Sequence, residues 1–269
     1  MQKPIRGLML LGITAFSISL LAADQTEKTT FQEPETYEAA RELSQKTAGY
    51  RNLQKIGLAM HNYHDLFGQF PAAVVYAVDG KTPHSWRVEL LPLLRELVDG
   101  AAPFRLKYMD RELYNAAIKE CGYDINQPWD SPGNLKVLDH IPPVYHHPGD
   151  KPDSTESAYY AVVGKGTAFD AGEVTSYTDI KDWPATALML VESRSRAPWT
   201  KPVDIAYSVD ATVPRFGGFT AHGFLTLSCD GAVHFISDSV SPTALRAYIS
   251  KDQSDTFEIP SVPYQFQQQ

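Results

Sequence analysis

From Pro34 to Gly68 the chain carries one unbroken helical pattern, and this stretch sets the frame for the rest. Leu43, Tyr50, Leu53, Ile56, Met60, Tyr63 and Phe67 recur at steps of three, four or seven, which lines one face of an α-helix. Pro34 suits the first turn, and Gly68 followed by Pro71 is a stop. About 30 residues at 1.5 Å each give a rod of ~45 Å. Gly49 and Gly57 weaken it locally, with close backbone packing as the alternative role for Gly57.

The elements that follow are shorter. Ala73 to Val78 reads as a strand with Asp79-Gly80 as its turn. Trp86 to Val98 reads as a short helix interrupted or started by Pro92. Asp110 caps a helix through Cys121, and Ser131-Pro132 opens one that runs to about His140. After Pro143 the pattern turns to β. Ala158 to Val163, Ala187 to Glu192, Phe224 to Cys229 and Ala232 to Ile236 read as strands, the last two flanking the hairpin signal Asp230-Gly231. Ser241-Pro242 starts a last helix, and 256–269 reads as a flexible tail. One long helix, a helical middle and then mostly antiparallel strands make an α+β fold, in a single domain over 34–255.

Residues 1–23 read as a signal peptide: Lys3 and Arg6, then the uncharged run Gly7 to Leu21, then Ala22 and Ala23. The cut region Leu20-Leu21-Ala22-Ala23 is not a clean A-x-A, so an uncleaved anchor is the alternative. A polar leader spans 24–33. The chain has 24 Lys+Arg against 32 Asp+Glu, a net charge of −8. Removing Lys3 and Arg6 leaves 22 basic against 32 acidic residues. That balance argues against nucleic acid or an anionic membrane as partner. No membrane span is expected after cleavage. Two cysteines, Cys121 and Cys229, make neither a disulfide framework nor a Cys-rich metal site. Whether they pair in an oxidising compartment or stand as separate buried thiols is open.

Several blocks carry a resemblance. They are Asn52 to Asp65, Phe70-Pro71, His84-Ser85-Trp86-Arg87-Val88, Pro128-Trp129-Asp130-Ser131-Pro132, Gly164 to Phe169, Val191-Glu192, Pro198-Trp199-Thr200-Lys201-Pro202 and Asp230 to Ile236. In this order, over roughly residues 45–255, they resemble the planctomycete-type family of exported, type IV pilin-like proteins of unknown function, also catalogued as a solute-binding-protein family. The resemblance implies a pilin-like fold, a long N-terminal helix packed on an antiparallel sheet, and no established enzyme activity. The chain departs from the family's pattern in three places. The prepilin-like cleavage site leading into the helix is replaced by the signal peptide and leader. In the C-terminal box seven residues, rather than nine, intervene between His222 and Asp230-Gly231. Tyr145-His146-His147-Pro148 stands where a Cys-Pro is usual, so a disulfide there is lost.

The candidate site residues each have a plain structural reading. His61 and His64, at i and i+3, can present two imidazoles to one metal with Asp65, His146 or His147 as third ligand. The pattern lacks an adjacent Glu, and packing at the helix end is the stronger reading, so no metal and no cofactor are expected. Asp230 and Gly231 are explained by the hairpin turn alone, with a residue tolerant of positive φ followed by Gly. His222 and His234 would meet across that hairpin as a structural pair. Gly164-Lys165-Gly166-Thr167 reads as a turn, not a phosphate loop, and no nucleophile motif occurs. Trp86, Trp129, Trp183 and Trp199 sit in expected loops. Core anchoring is their default, but together Trp86, Trp129 and Trp199 would suit stacking on sugar or peptide.

The resulting expectation is an exported, non-enzymatic pilin-like protein of the periplasm or cell surface, associating with an envelope protein or glycan through Trp86, Trp129 and Trp199. A solute- or glycan-binding protein is the alternative, and a metal-dependent hydrolase using His61 and His64 the third reading.

Overall fold

The periodic stretch forms helix α1, Tyr37–Phe67, in a computed structural model that describes residues 37–99, 109–170, 175–180, 187–251 and 261–262. The signal peptide, the polar leader, Trp183 and most of the tail lie outside the described residues. Gly68 ends α1 at φ +72°, its N–H bonded to the His64 carbonyl at 2.7 Å, a left-handed stop. Leu53, Ile56, Met60 and Tyr63 are buried as the periodicity requires, but Leu43 is 44% exposed. A methyl on Gly49 would lie 3.0 Å from Leu225 Cδ1, and one on Gly57 2.9 Å from Leu227 Cδ1. Both glycines therefore serve close packing.

Beyond α1, strands β1 (Val74–Tyr76) and β2 (Pro83–Ser85) form a hairpin. Its turn is fixed by Asp79 Oδ1, which accepts from the Lys81 and Thr82 amides at 2.9 Å each. The helix expected over Trp86 to Val98 is split at Leu90 into α2 (Trp86–Glu89) and α3 (Leu91–Asp99). Pro92 falls in the first turn of α3, where its missing N–H has no helical partner to lose. Helix α4 is Arg111–Glu120, with the Asp110 side chain accepting from the Leu113 amide. The helix expected from Ser131 is instead a 3-10 segment, Asn134–His140. Its buried Asn134 explains why: the side-chain amide donates to the carbonyls of Asp124, Gln127 and Pro128 while Oδ1 accepts from the Asp124 amide. A side chain that stitches a loop competes with helix formation.

The main sheet has six strands: β3 (Tyr159–Val163), β4 (Leu188–Glu192), β5 (Ile205–Ala206), β6 (Gly223–Ser228), β7 (Val233–Ser237) and β8 (Ser261–Val262). Their spatial order is β5-β3-β4-β6-β7-β8, antiparallel throughout except for the parallel β3–β5 pair. Strand β8 comes from the segment expected to be a flexible tail; Ser261 and Val262 pair with Ile236 and Phe235. Side chains alternate between two faces. Leu225, Leu227, Ala161 and Phe235 join α1 and the helical middle in the larger core. Phe224, Ile236, Val162 and Val191 form a second core with helix α5, Pro242–Ile249. Ser241 caps α5, its side chain accepting from the Ala244 amide. The fold is α+β, with the long N-terminal helix packed on a mainly antiparallel sheet. Among the described residues no helix is long and apolar enough to cross a membrane.

Candidate functional site

The end of α1 gathers four rings. His61 and His64 each pack against Phe70 and Tyr177, with centroid separations from 5.0 to 5.6 Å. The Tyr177 amide donates to His64 Nε2 at 3.3 Å, so that nitrogen is already engaged. His61 Nε2 is buried without a hydrogen-bond partner and points at the β6–β7 turn; a methyl on Gly231 would lie 3.2 Å from it. Burial lowers the His61 pKa, as does neighbouring His64, against opposing pulls from Asp230 and Asp65. Among the described residues no three His, Cys, Asp or Glu side chains are placed to hold a metal ion. His146 Nε2 instead meets the Lys151 carbonyl at 2.8 Å. His61 is thus brought to the Asp230-Gly231 turn and His64 to the Tyr177 amide, rather than both to a third ligand.

That turn differs from the expected type. Gly231 has φ +87°, but Asp230 is not in the left-handed region. The Gly231 amide bonds back to the Ser228 carbonyl at 3.0 Å, and Asp230 Oδ1 accepts from the Ala232 amide at 2.9 Å. One left-handed glycine after a tight turn is the glycine-bulge variant of the hairpin. His222 and His234 do not meet. Strand register pairs Gly223 with Ser237 and Thr226 with His234, so the two histidines sit at different heights on the hairpin. His222 is exposed at φ +66°, whereas His234 packs edge-on to Tyr248.

The tryptophans do not form an exposed aromatic cluster. Trp86 and Trp199 are both 0% exposed. Trp199 stacks on Tyr145, and its Nε1 donates to the Leu138 carbonyl at 3.2 Å. Trp86 Nε1 donates to Asp204 Oδ1 at 3.2 Å. Both indoles have polar tips satisfied inside the fold, as buried tryptophan requires. Trp129 alone of the three is half-buried, with Lys201 Nζ 5.5 Å from its ring.

Two ion-pair networks around buried Arg87 and Glu89, and a buried His147–Glu192 contact, were not visible in the sequence pattern. Arg87, 1% exposed, donates to Asp204 Oδ1 at 2.9 Å, to the Tyr159 carbonyl and to Ser85 and Ser157 hydroxyls. Burial raises the Asp204 pKa against the pull of Arg87 and its hydrogen bonds. Glu89 receives both Arg111 nitrogens at 2.7 and 2.8 Å and the Tyr63 hydroxyl at 3.1 Å. His147 lies flat on Phe219 at 3.9 Å. The Gly149 amide donates to its Nδ1 at 2.8 Å, which in the neutral ring puts the proton on Nε2. That nitrogen approaches Glu192 Oε1 at 3.1 Å, at an angle that makes no hydrogen bond. The only sequence signal for these networks was a charged residue in an apolar run, as in Leu188-Met189-Leu190-Val191-Glu192.

An open groove lies on the α5 side of the sheet. It encloses about 730 Å³ between the 193–195 segment, the 213–218 loop and the start of α5. Arg194 and Arg215 line it with Phe216, Phe224, Ser195 and Asp238. Neither arginine has a carboxylate partner among the described residues; Arg194 rests on the Phe219 ring at 4.7 Å.

No curated protein and no solved structure matches the chain. Residues 38–98, which span α1 to α3, match the sequence model of the family described as a protein of unknown function (DUF1559), carrying a solute-binding-type label and consistent with the family that the motifs resemble.

Proposed function

We propose that this chain is an exported, non-enzymatic, pilin-like protein of the cell envelope that acts by association with another envelope component. The observation that carries this reading is where the reactive groups are spent. Glu89, Arg87 and Asp204 have buried side chains tied to partners in the protein, while the groove beside α5 is lined by two guanidinium groups with no carboxylate partner among the described residues. Groups engaged in this way hold a fold together; unpaired cations in a groove suit binding. A long N-terminal helix packed on an antiparallel sheet adds the architecture expected of pilin-like proteins. The groove also favours the second reading, a solute- or glycan-binding protein, because its volume is in the range of ligand sites.

Fractionation of native cells followed by intact-mass analysis tests the first reading. Recovery in the exported or envelope fraction, with a mass shortened by about the first 23 residues, is the expected result. Full-length protein confined to the cytosol would overturn it.

A further inference from the structure

We infer that the groove beside α5 is a binding site for an acidic saccharide, a sugar ring carrying a carboxylate or sulfate. The inference narrows the association reading to one ligand class, and it is tested on purified protein, independently of where the protein resides.

The chain is acidic, with 32 Asp+Glu against 24 Lys+Arg, and most of its other well-described arginines are committed. Arg87 and Arg111 are in buried pairs, Arg196 bonds Glu156, and Arg246 donates to the Val209 and Ala211 carbonyls. Among the described residues Arg194 and Arg215 have no such partner, and they share one groove. Asp238 is the acid on that rim, so cations outnumber anions two to one there. A guanidinium presents a planar fork of donors that matches carboxylate and sulfate oxygens.

The backbone of the rim is already paired. Gly217 N–H bonds the Glu192 carbonyl at 2.7 Å, and Arg194 N–H bonds the Gly217 carbonyl at 3.2 Å. These groups are spent, so an extended peptide finds no open strand edge to add to along this rim. Recognition falls to side chains: the two guanidiniums, the Ser193 and Ser195 hydroxyls, and the Phe216 ring over an apolar floor. Anion forks, hydroxyl partners and an aromatic face fit a charged sugar.

Isothermal titration of the full chain with tri-galacturonate, a sulfated disaccharide and uncharged maltotriose tests this. Binding of at least one acidic saccharide and not of maltotriose is expected, weakened by raising salt from 50 to 500 mM. The Arg194→Gln/Arg215→Gln double variant should bind at least 10-fold more weakly. Arg215→Gln alone changes an exposed side chain that makes no hydrogen bond or ion pair among the described residues, so a loss there does not reflect misfolding. The two acidic probes separate carboxylate from sulfate specificity. The inference is overturned by no binding of either acidic probe, by equal binding of maltotriose, by binding indifferent to the double variant, or by tighter binding of an oligoglutamate peptide.

Discussion

Trp199 illustrates how an aromatic residue beside proline can be read two ways. Its indole is fully buried against Tyr145, and its N–H is used on a backbone carbonyl. Truncating such a side chain costs about 3–5 kcal/mol through lost transfer energy and the cavity left behind. Trp199→Ala should therefore lower the midpoint of urea unfolding sharply, while a docking role would leave it unchanged. Gly231 gives the companion case. An alanine there would pay about 1–2 kcal/mol for the left-handed backbone and would also press on His61 Nε2. Asp230→Asn keeps the oxygen that accepts from Ala232, so its stability should stay within about 0.5 kcal/mol of the parent. If Gly231→Ala is neutral in the same denaturation series, the turn is not what the residue is for.

At the scale of elements, glycine positions separate two kinds of constraint. Gly68 has open space around it and only its φ of +72° to satisfy, so Gly68→Ala should cost about 1–2 kcal/mol. Gly223 has no such backbone demand, but a methyl there would lie 2.3 Å from the Ile236 carbonyl and 2.6 Å from the Phe235 ring. Since both neighbours belong to the paired strand β7, Gly223→Ala should open the hairpin and leave little soluble protein, whereas Gly68→Ala should express normally. Comparable soluble yields would show that the pairing of β6 and β7 is looser than described.

The elements themselves were largely legible. Period 3.6 gave α1, apolar and β-branched runs gave β3 and β4, the Asp-Gly turn gave β6 and β7, and Ser or Asp before a helix gave α4 and α5. What was not legible depends on contacts between distant residues. Asn134 turns an expected helix into a 3-10 segment by bonding three carbonyls. Short β5 and β8 are defined only by the strands they join. The Arg87–Asp204 pair spans 117 residues, and no local pattern encodes it. The groove likewise draws on several separate segments, which no local pattern joins.

For the whole molecule, the buried imidazoles set the response to acid. His61, His84 and His234 all have pKa values lowered from 6.5, with burial the largest cause in each. A lowered histidine stays neutral in the fold while the unfolded chain takes up protons below 6.5, so the unfolded state binds more protons in that window. Stability then rises with pH across it and is lost as pH falls from 6.5 toward the folded values. Asp204 works in the opposite sense: its raised carboxyl favours the fold at low pH, a gain that fades as pH rises from 3.8 through its folded value. Asp79, held at about 2 by Thr82 and Lys81, acts below 3.8, outside the histidine window. Three imidazoles against one carboxyl should make the thermal midpoint lower at pH 5.5 than at pH 7.5. His61→Asn removes one titrating ring and should flatten that slope, whatever it does to the midpoint at pH 7.5. A midpoint that rises on acidification, or a slope unchanged by His61→Asn, would mean that the His61 ring at the Gly231 turn is reached by water and is not held neutral by the fold.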